Sequence, residues 1–102
     1  MKSEILKSIK KRSEILELNS ESISQSIIEM TDIVVSCLKN TNKIFFCGNG
    51  GSAAESQHMA AEYCATLDHN EPRSGMSAIA LTTDTSFITA WGNDFGYEGI
   101  FK

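Results

Sequence analysis

Proline is nearly absent, with Pro72 the only one in 102 residues. Nothing else in the chain fixes φ and removes a backbone donor, so helices and strands can run uninterrupted on either side of it. Basic clusters are just as scarce. The longest is Lys10-Lys11-Arg12, and the formal net charge is −4, so the chain has no cationic surface for displacing counterions from nucleic acid, and no such partner is expected. No apolar run approaches the roughly 18 residues of a membrane span. The first twenty residues alternate charge with isoleucine and leucine where a signal peptide would have an apolar core. No membrane partner and a cytoplasmic location are therefore expected. Cysteine is limited to Cys37, Cys47 and Cys64, an odd number with no CxxC pair. Each falls in an apolar periodic segment, so packing as a small hydrophobe in a reducing compartment is expected, not thiol chemistry.

With 41% hydrophobic and 22% charged residues, the chain has the composition of a folded protein, at a length that allows one core. From Ser3 to Leu18, Ile5, Leu6, Ile9, Ile15 and Leu16 recur at helical spacing among lysines and glutamates, predicting an amphipathic helix. Ser22 with Gln25 forms a capping-box pattern before a second stripe of Ile23, Ile27, Met30, Val34 and Leu38, which should end near Asn40. The run from Lys43 to Cys47 reads as a buried parallel strand. Ser52 with Glu55 then predicts a third helix over Ala53 to Ala65, and Met76 to Leu81 supplies a second strand. Phe87 to Trp91 predicts a short helix broken by Gly92-Asn93-Asp94. Two strands around one helix make a β-α-β unit with parallel, neighbouring strands. Such a sheet needs further strands, so the expectation is a truncated or incomplete protein, organised as an amino-terminal helical region over 1–40 and the beginning of an α/β domain over 41–102.

The turn Gly48-Asn49-Gly50-Gly51-Ser52 is the most specific local feature. At the carboxyl end of a strand and the start of a helix, it can offer backbone N–H groups to an anion or a polar sugar. Equally, it can be a tight connection in which glycine only permits positive φ. Of two nucleotide motifs, one is weak and the other is missing. Gly48, Gly50 and Ala53 fit a loose dinucleotide pattern, but no acidic residue ends a second strand about 20 residues on, and no Gly-Lys-Ser/Thr ending makes a P-loop. His58 and Glu62, four residues apart, share one helix face. They are either two ligands of a zinc site or a surface pair sharing a hydrogen bond, and Glu62 is also a candidate general base. Asn93 and Asp94 either cap a helix or present polar groups to sugar hydroxyls.

Four ordered motifs, Cys47-Gly-Asn-Gly-Gly-Ser-Ala-Ala54, Gln57-His-Met-Ala-Ala-Glu62, Ala78-Ile-Ala-Leu-Thr-Thr-Asp84 and Gly92-Asn-Asp-Phe-Gly96, together resemble the amino-terminal half of phosphoheptose isomerases of the sugar isomerase (SIS) family. The resemblance runs from about Ile23 to the end of the chain. It implies an α/β fold of SIS type, a flavodoxin-like parallel sheet flanked by helices and preceded by amphipathic helices that pack in a homotetramer. The implied reaction converts sedoheptulose 7-phosphate to a heptose 7-phosphate for bacterial surface polysaccharide. On the same resemblance Asn49, Gly50, Gly51 and Ser52 line the sugar phosphate, Asn93 and Asp94 contact it, and Glu62 is the catalytic glutamate. His58 and Glu62 hold one zinc ion per subunit, whose remaining ligands, like the phosphate-gripping loop, belong to the family's second half. The chain departs from the family at Ala65-Thr-Leu-Asp68, where Gly-Arg-aromatic is usual. The alternative is a non-catalytic SIS protein that senses a sugar phosphate or binds a protein, as replication-initiator-associating members do.

Overall fold

The computed structural model describes residues 1–66 and 68–102; Leu67, inside the divergent Ala65–Asp68 stretch, lies outside the described residues. In chain order the elements are α1 (Lys2–Leu18), α2 (Ser20–Lys39), β1 (Ile44–Phe46), α3 (Gly51–Cys64), β2 (Ala78–Ala80), α4 (Thr85–Phe95) and a 3-10 turn at Tyr97–Gly99. They form two compact units, Met1–Val35 and Ser36–Lys102. No helix is long and apolar enough to cross a membrane among the described residues.

In the first unit, α1 meets α2 at Asn19. The Asn19 N–H donates to Ile15 O at 3.2 Å and the Ile23 N–H donates to Asn19 O at 2.9 Å, so the hydrogen-bond ladder continues across the junction. This is why the expected capping box at Ser22 and Gln25 does not form. A cap satisfies orphan N–H groups at a helix start, and here α2 has already begun at Ser20. The Ser22 hydroxyl donates to Asn19 O instead, and Gln25 Nε2 donates to Glu29 Oε1. Ile5, Ile9, Ile15 and Leu16 of α1, with Ile23, Ile27 and Met30 of α2, are all exposed.

The second unit is built on a parallel pair in the register Ile44↔Ala78, Phe45↔Ile79, Phe46↔Ala80. Side chains alternate across a strand. Ile44, Phe46, Ala78 and Ala80 are the more buried set, while the partners Phe45 and Ile79 stay 54% and 43% exposed. The helix α3 covers the first face. It does so with small side chains, since Ser56 and Ala60 are buried there and Ala78 is buried on β2. Phe46 and Tyr63 stack at its far end, with centroids 5.7 Å apart.

Three further local expectations are corrected. The Ser52–Glu55 capping box is not formed, because α3 starts one residue before Ser52 with Gly50 at its N-cap and no side-chain cap. The helix α4 is not broken at Gly92-Asn93-Asp94 but runs on to Phe95 and stops at Gly96, φ 93°. Phe87, Trp91 and Phe95 stack at successive four-residue steps, 5.8 and 4.8 Å between centroids. Aromatic pairs of this kind contribute about 0.5–1.5 kcal/mol each, enough to offset the roughly 1 kcal/mol cost of one helical glycine. Finally, the cysteines are not packed away: Cys37 is half-buried, and Cys47 and Cys64 are exposed, all as free thiols. Cys47 follows the short β1, and Cys37 and Cys64 lie in the last turns of α2 and α3, where Cys64 Sγ donates to Ala78 O at 3.3 Å and Cys37 Sγ to Lys43 O at 3.4 Å.

Gly50 has φ 58° and ψ −123°, a conformation open to glycine and strained for any other residue, whereas the neighbouring Gly51 is ordinary helix. Gly50→Ala is therefore predicted to destabilise the chain by about 1–3 kcal/mol, and Gly51→Ala to leave it unchanged or raise it by up to about 1 kcal/mol. Urea denaturation of the two variants beside the parent checks this; equal midpoints for both would contradict the assignment of strain to Gly50.

Candidate functional site

The glycine turn lies beyond the carboxyl end of β1, and the loop after β2 is drawn to the same end. Thr82 Oγ1 donates to Ala53 O and accepts from Gln57 Nε2, both at 3.4 Å, tying that loop to the first turns of α3. Between them is a cavity of about 230 Å³ lined by Asn49, Gly50, Thr82, Thr85 and Tyr97 among others. Part of the turn's donor capacity is already committed. The Ser52 N–H closes on Asn49 O at 3.0 Å and the Ala53 N–H on Gly50 O at 3.1 Å, while the N–H groups of Gly50 and Gly51 have no backbone acceptor among the described residues. Two donors at a helix start suit an anionic or hydroxyl oxygen. Of the four turn residues singled out in the sequence, Asn49 and Gly50 line this cavity; Gly51 and Ser52 form the first helical positions behind it.

His58 and Glu62 are in the second half of α3. Their four-residue spacing puts His58 Nε2 3.5 Å from Glu62 Oε1, with the carboxylate side chain about one third exposed. Zinc bonds of roughly 2.1 Å at a tetrahedral angle would hold two donors about 3.4 Å apart, so the pair fits two corners of one coordination sphere. It does not complete one. Among the described residues no group of three histidine, cysteine or carboxylate side chains is arranged to hold a metal ion. The pair opens onto a cavity of about 520 Å³ shared with Glu55, Met59, Arg73 and Met76.

The two cavities share no lining residue. Eleven helical steps separate Gly51 from Glu62, which at 1.5 Å each is about 16 Å. The turn residues and Glu62 therefore lie towards opposite ends of α3, with His58 between them. Asn93 and Asp94 line neither cavity. They occupy the last turn of α4, where Asn93 Nδ2 donates to Asp94 Oδ1 at 2.8 Å, and they are exposed.

Sequence reasoning passed over two residues that the structure brings to these sites. Arg73 is one. Its Nη2 donates to Glu62 O at 2.8 Å and its Nη1 to Tyr63 O at 2.9 Å and Ser74 O at 3.1 Å. A helix leaves its last carbonyls without intrahelical partners, and the guanidinium supplies them from outside. The signal was available: Arg73 is the only cation between Lys43 and Lys102. Tyr97 is the other, its hydroxyl donating to Asn49 Oδ1 at 2.7 Å across 48 positions of sequence. No local periodicity reports such a contact.

Residues 8–102 match the SIS domain family. The phosphoheptose isomerase of Aliarcobacter butzleri (strain RM4018) is 46% identical over 101 residues, which cover 99% of this chain and 52% of that protein. That of Akkermansia muciniphila is 52% identical over 81 residues, 79% of this chain and 42% of the relative. Among solved structures, a phosphoheptose isomerase from Neisseria gonorrhoeae aligns with a TM-score of 0.75 at 36% identity, over 99% of this chain and 51% of its own. One from Francisella tularensis aligns with a TM-score of 0.79 at 30% identity, over 99% and 52%. The chain spans about half the length of the curated relatives it matches.

Because Arg73 bonds to the carbonyl of Glu62 itself, Arg73→Ala is predicted to loosen the last turn of α3. Charge-assisted bonds of this kind contribute roughly 1.5–3 kcal/mol. The expected outcome is a loss of that order in urea denaturation together with faster amide exchange over residues 60–65, and partial recovery in Arg73→Lys. Unchanged exchange in that turn would show that it does not depend on the guanidinium.

Proposed function

This chain belongs to the SIS domain family, and on that premise we propose that it carries the base and part of the metal and sugar site of a phosphoheptose isomerase. The reaction interconverts sedoheptulose 7-phosphate and D-glycero-D-manno-heptose 7-phosphate for bacterial surface polysaccharide, in the cytoplasm. The single observation behind the reading is the His58–Glu62 pair, 3.5 Å apart on α3, in a chain whose relatives at 46% and 52% identity are phosphoheptose isomerases.

Aldose–ketose isomerisation takes a proton from the carbon beside a carbonyl. Glu62 is the base: its carboxylate accepts the proton from C1 of the ketose, the C1–H electron pair forms the C1–C2 double bond as the C2 carbonyl electrons move onto O2, the O1 hydroxyl proton passes to O2, and return of the first proton at C2 with collapse of O1 to a carbonyl gives the aldose. His58 and Glu62 would be two of the ligands of a zinc ion, which when bound would supply Lewis-acid stabilisation of the developing oxyanion. Asn49 and Gly50, with the N–H groups of Gly50 and Gly51, bind sugar or phosphate oxygens; Ser52, Asn93 and Asp94 are assigned to the sugar phosphate on the resemblance alone. Arg73 holds the turn that carries Glu62.

The separation of about 16 Å between the glycine turn and Glu62 favours a site assembled from more than one chain. The apolar stripes of α1 and α2, exposed in Ile9, Ile15, Ile27 and Ile28 among others, are the surface that assembles a homotetramer. Burying one such side chain contributes about 1.5–3 kcal/mol. Ile9→Asp combined with Ile27→Asp is accordingly predicted to shift the protein to lower mass in sedimentation velocity. A mass unchanged from the parent would count against these helices as the interface.

The chain by itself is predicted not to isomerise sedoheptulose 7-phosphate, because two zinc ligands and one base leave the enediolate without a closed metal site or a partner acid. A lost acid–base group costs roughly 10²–10⁴-fold, and lost positioning costs more. Joined to the part of the Aliarcobacter butzleri relative that it does not span, the chain is expected to turn over substrate, and Glu62→Gln in that fusion to lower kcat by about 10²–10⁴-fold. A folded fusion indifferent to Glu62→Gln would remove Glu62 as base. Glu62-dependent turnover by the unfused chain would show that it needs no further residues.

A further inference from the structure

We infer that Tyr97 is the positioning residue of the glycine-turn cavity, fixing the Asn49 carboxamide so that its two N–H donors are offered to a ligand oxygen. The inference rests on the reading of the turn as a ligand loop and adds a residue to it.

A free asparagine carboxamide has a broad, nearly two-fold torsion about its terminal bond, so its oxygen and nitrogen can exchange places. In a ligand site that ambiguity presents an acceptor as often as a donor. The Tyr97 hydroxyl removes it by donating to Asn49 Oδ1 at 2.7 Å. With the oxygen engaged, Nδ2 is the end left for a ligand. Both residues line the same cavity, beside the Thr82 and Thr85 side chains and Gly50.

Tyr97 is itself held from behind. The helix α4 stops at Gly96, and the chain turns at once into the 3-10 turn Tyr97–Gly99. A side chain at Gly99 would collide with the Trp91 indole, so the turn lies flat on α4. Contact is close enough that Trp91 Nε1 is buried without a hydrogen-bond partner among the described residues. The next residue, Ile100, is 5% exposed and anchors the turn in the core. The phenol therefore reaches Asn49 from a fixed base, and the aromatic stack of α4 is coupled through Gly99 and Tyr97 to the turn beyond β1.

The hydrogen bond is exposed, which limits its net effect: a bond of about 0.5–1.5 kcal/mol corresponds to a two- to tenfold change in affinity. The experiment is nitrogen-15 NMR of the 102-residue chain, following the Asn49 side-chain amide without ligand and during titration with sedoheptulose 7-phosphate at millimolar concentration. In the parent chain the amide is expected to be ordered and to shift on titration. In Tyr97→Phe, which keeps the ring and its packing, the amide is expected to become mobile and the affinity to fall about two- to tenfold. Asn49→Asp is the second variant. It keeps an acceptor for Tyr97 and removes the donors, so the Tyr97 ring should stay ordered while sugar-phosphate binding weakens at least as much.

A mobile Asn49 amide in the parent, or an equally ordered one in Tyr97→Phe, overturns the proposal whatever the ligand does. An amide ordered by Tyr97 but unmoved by the sugar phosphate overturns the ligand-loop reading and leaves the positioning contact standing. Sugar-phosphate affinity unchanged in both variants overturns the donor role assigned to Asn49.

Discussion

The close seating of α3 on the β1–β2 pair is the contact on which the rest of the second unit depends. It is made by small groups: Ser56 and Ala60 on the helix and Ala78 on the strand are three of the four buried residues among those described. A helix that meets a sheet through alanine and serine approaches closely, since the distance between packed elements is set by the side chains between them. Ser56 can be buried because its hydroxyl donates to Ser52 O at 2.7 Å within the helix, which removes the cost of an unpaired polar group. Once α3 is seated, its amino end must meet the glycine turn and its carboxyl end must present His58 and Glu62 beside Arg73. Larger residues at 56 or 60 would lift the helix and move both ends together.

The same contact explains how much of the fold could be read in the sequence. Strand runs of isoleucine and phenylalanine, a glycine turn and a helix free of proline give β1, α3 and β2 in the correct order with parallel pairing. Boundaries were less legible, because they are decided by hydrogen bonds that composition does not encode. Ser52 has the residue type of an N-cap, but the left-handed Gly50 lets the chain enter the helix earlier, and the cap position falls on a residue without a side chain. Asp84, by contrast, is a working cap, its Oδ1 accepting the Phe87 N–H at 3.0 Å. At Gly92 the local signal for a break was outweighed by the aromatic stack of Phe87, Trp91 and Phe95, an interaction that a residue-by-residue propensity does not contain.

The candidate site was legible in its parts and not in its arrangement. Helical spacing gives the His58–Glu62 pair directly, because residues four apart share a face. The sequence also puts the glycine turn at the start of the helix that carries this pair, but it does not show that turn and pair open onto separate cavities. The contacts of Tyr97 and Arg73 were hidden for a related reason, although Arg73 stands out in the sequence as the only cation between Lys43 and Lys102. Each acts on a residue brought to it by the fold, Asn49 across 48 positions and Glu62 across 11, and neither stands in a motif whose spacing announces the contact.

Arg73 also bears on how this chain can meet a negatively charged ligand. The resembled family carries an arginine shortly after the glutamate, and this chain has Ala65 and Thr66 there. Arg73 follows a few residues later but is half-buried and directs its guanidinium at three backbone carbonyls. A guanidinium has five N–H donors in a rigid fork, and with its fork aimed at Glu62 O, Tyr63 O and Ser74 O it is poorly placed to grip a phosphate bidentately at the same time. On the proposed reading, in a chain of net charge −4, attraction of an anion would fall to neutral donors: the N–H groups of Gly50 and Gly51 at the start of α3 and the carboxamide of Asn49. Such donors act only at hydrogen-bond range and only if they are held in place. That is why the left-handed Gly50, which shapes the turn, and the Tyr97 hydroxyl, which orients the amide, matter more here than they would beside an unengaged arginine.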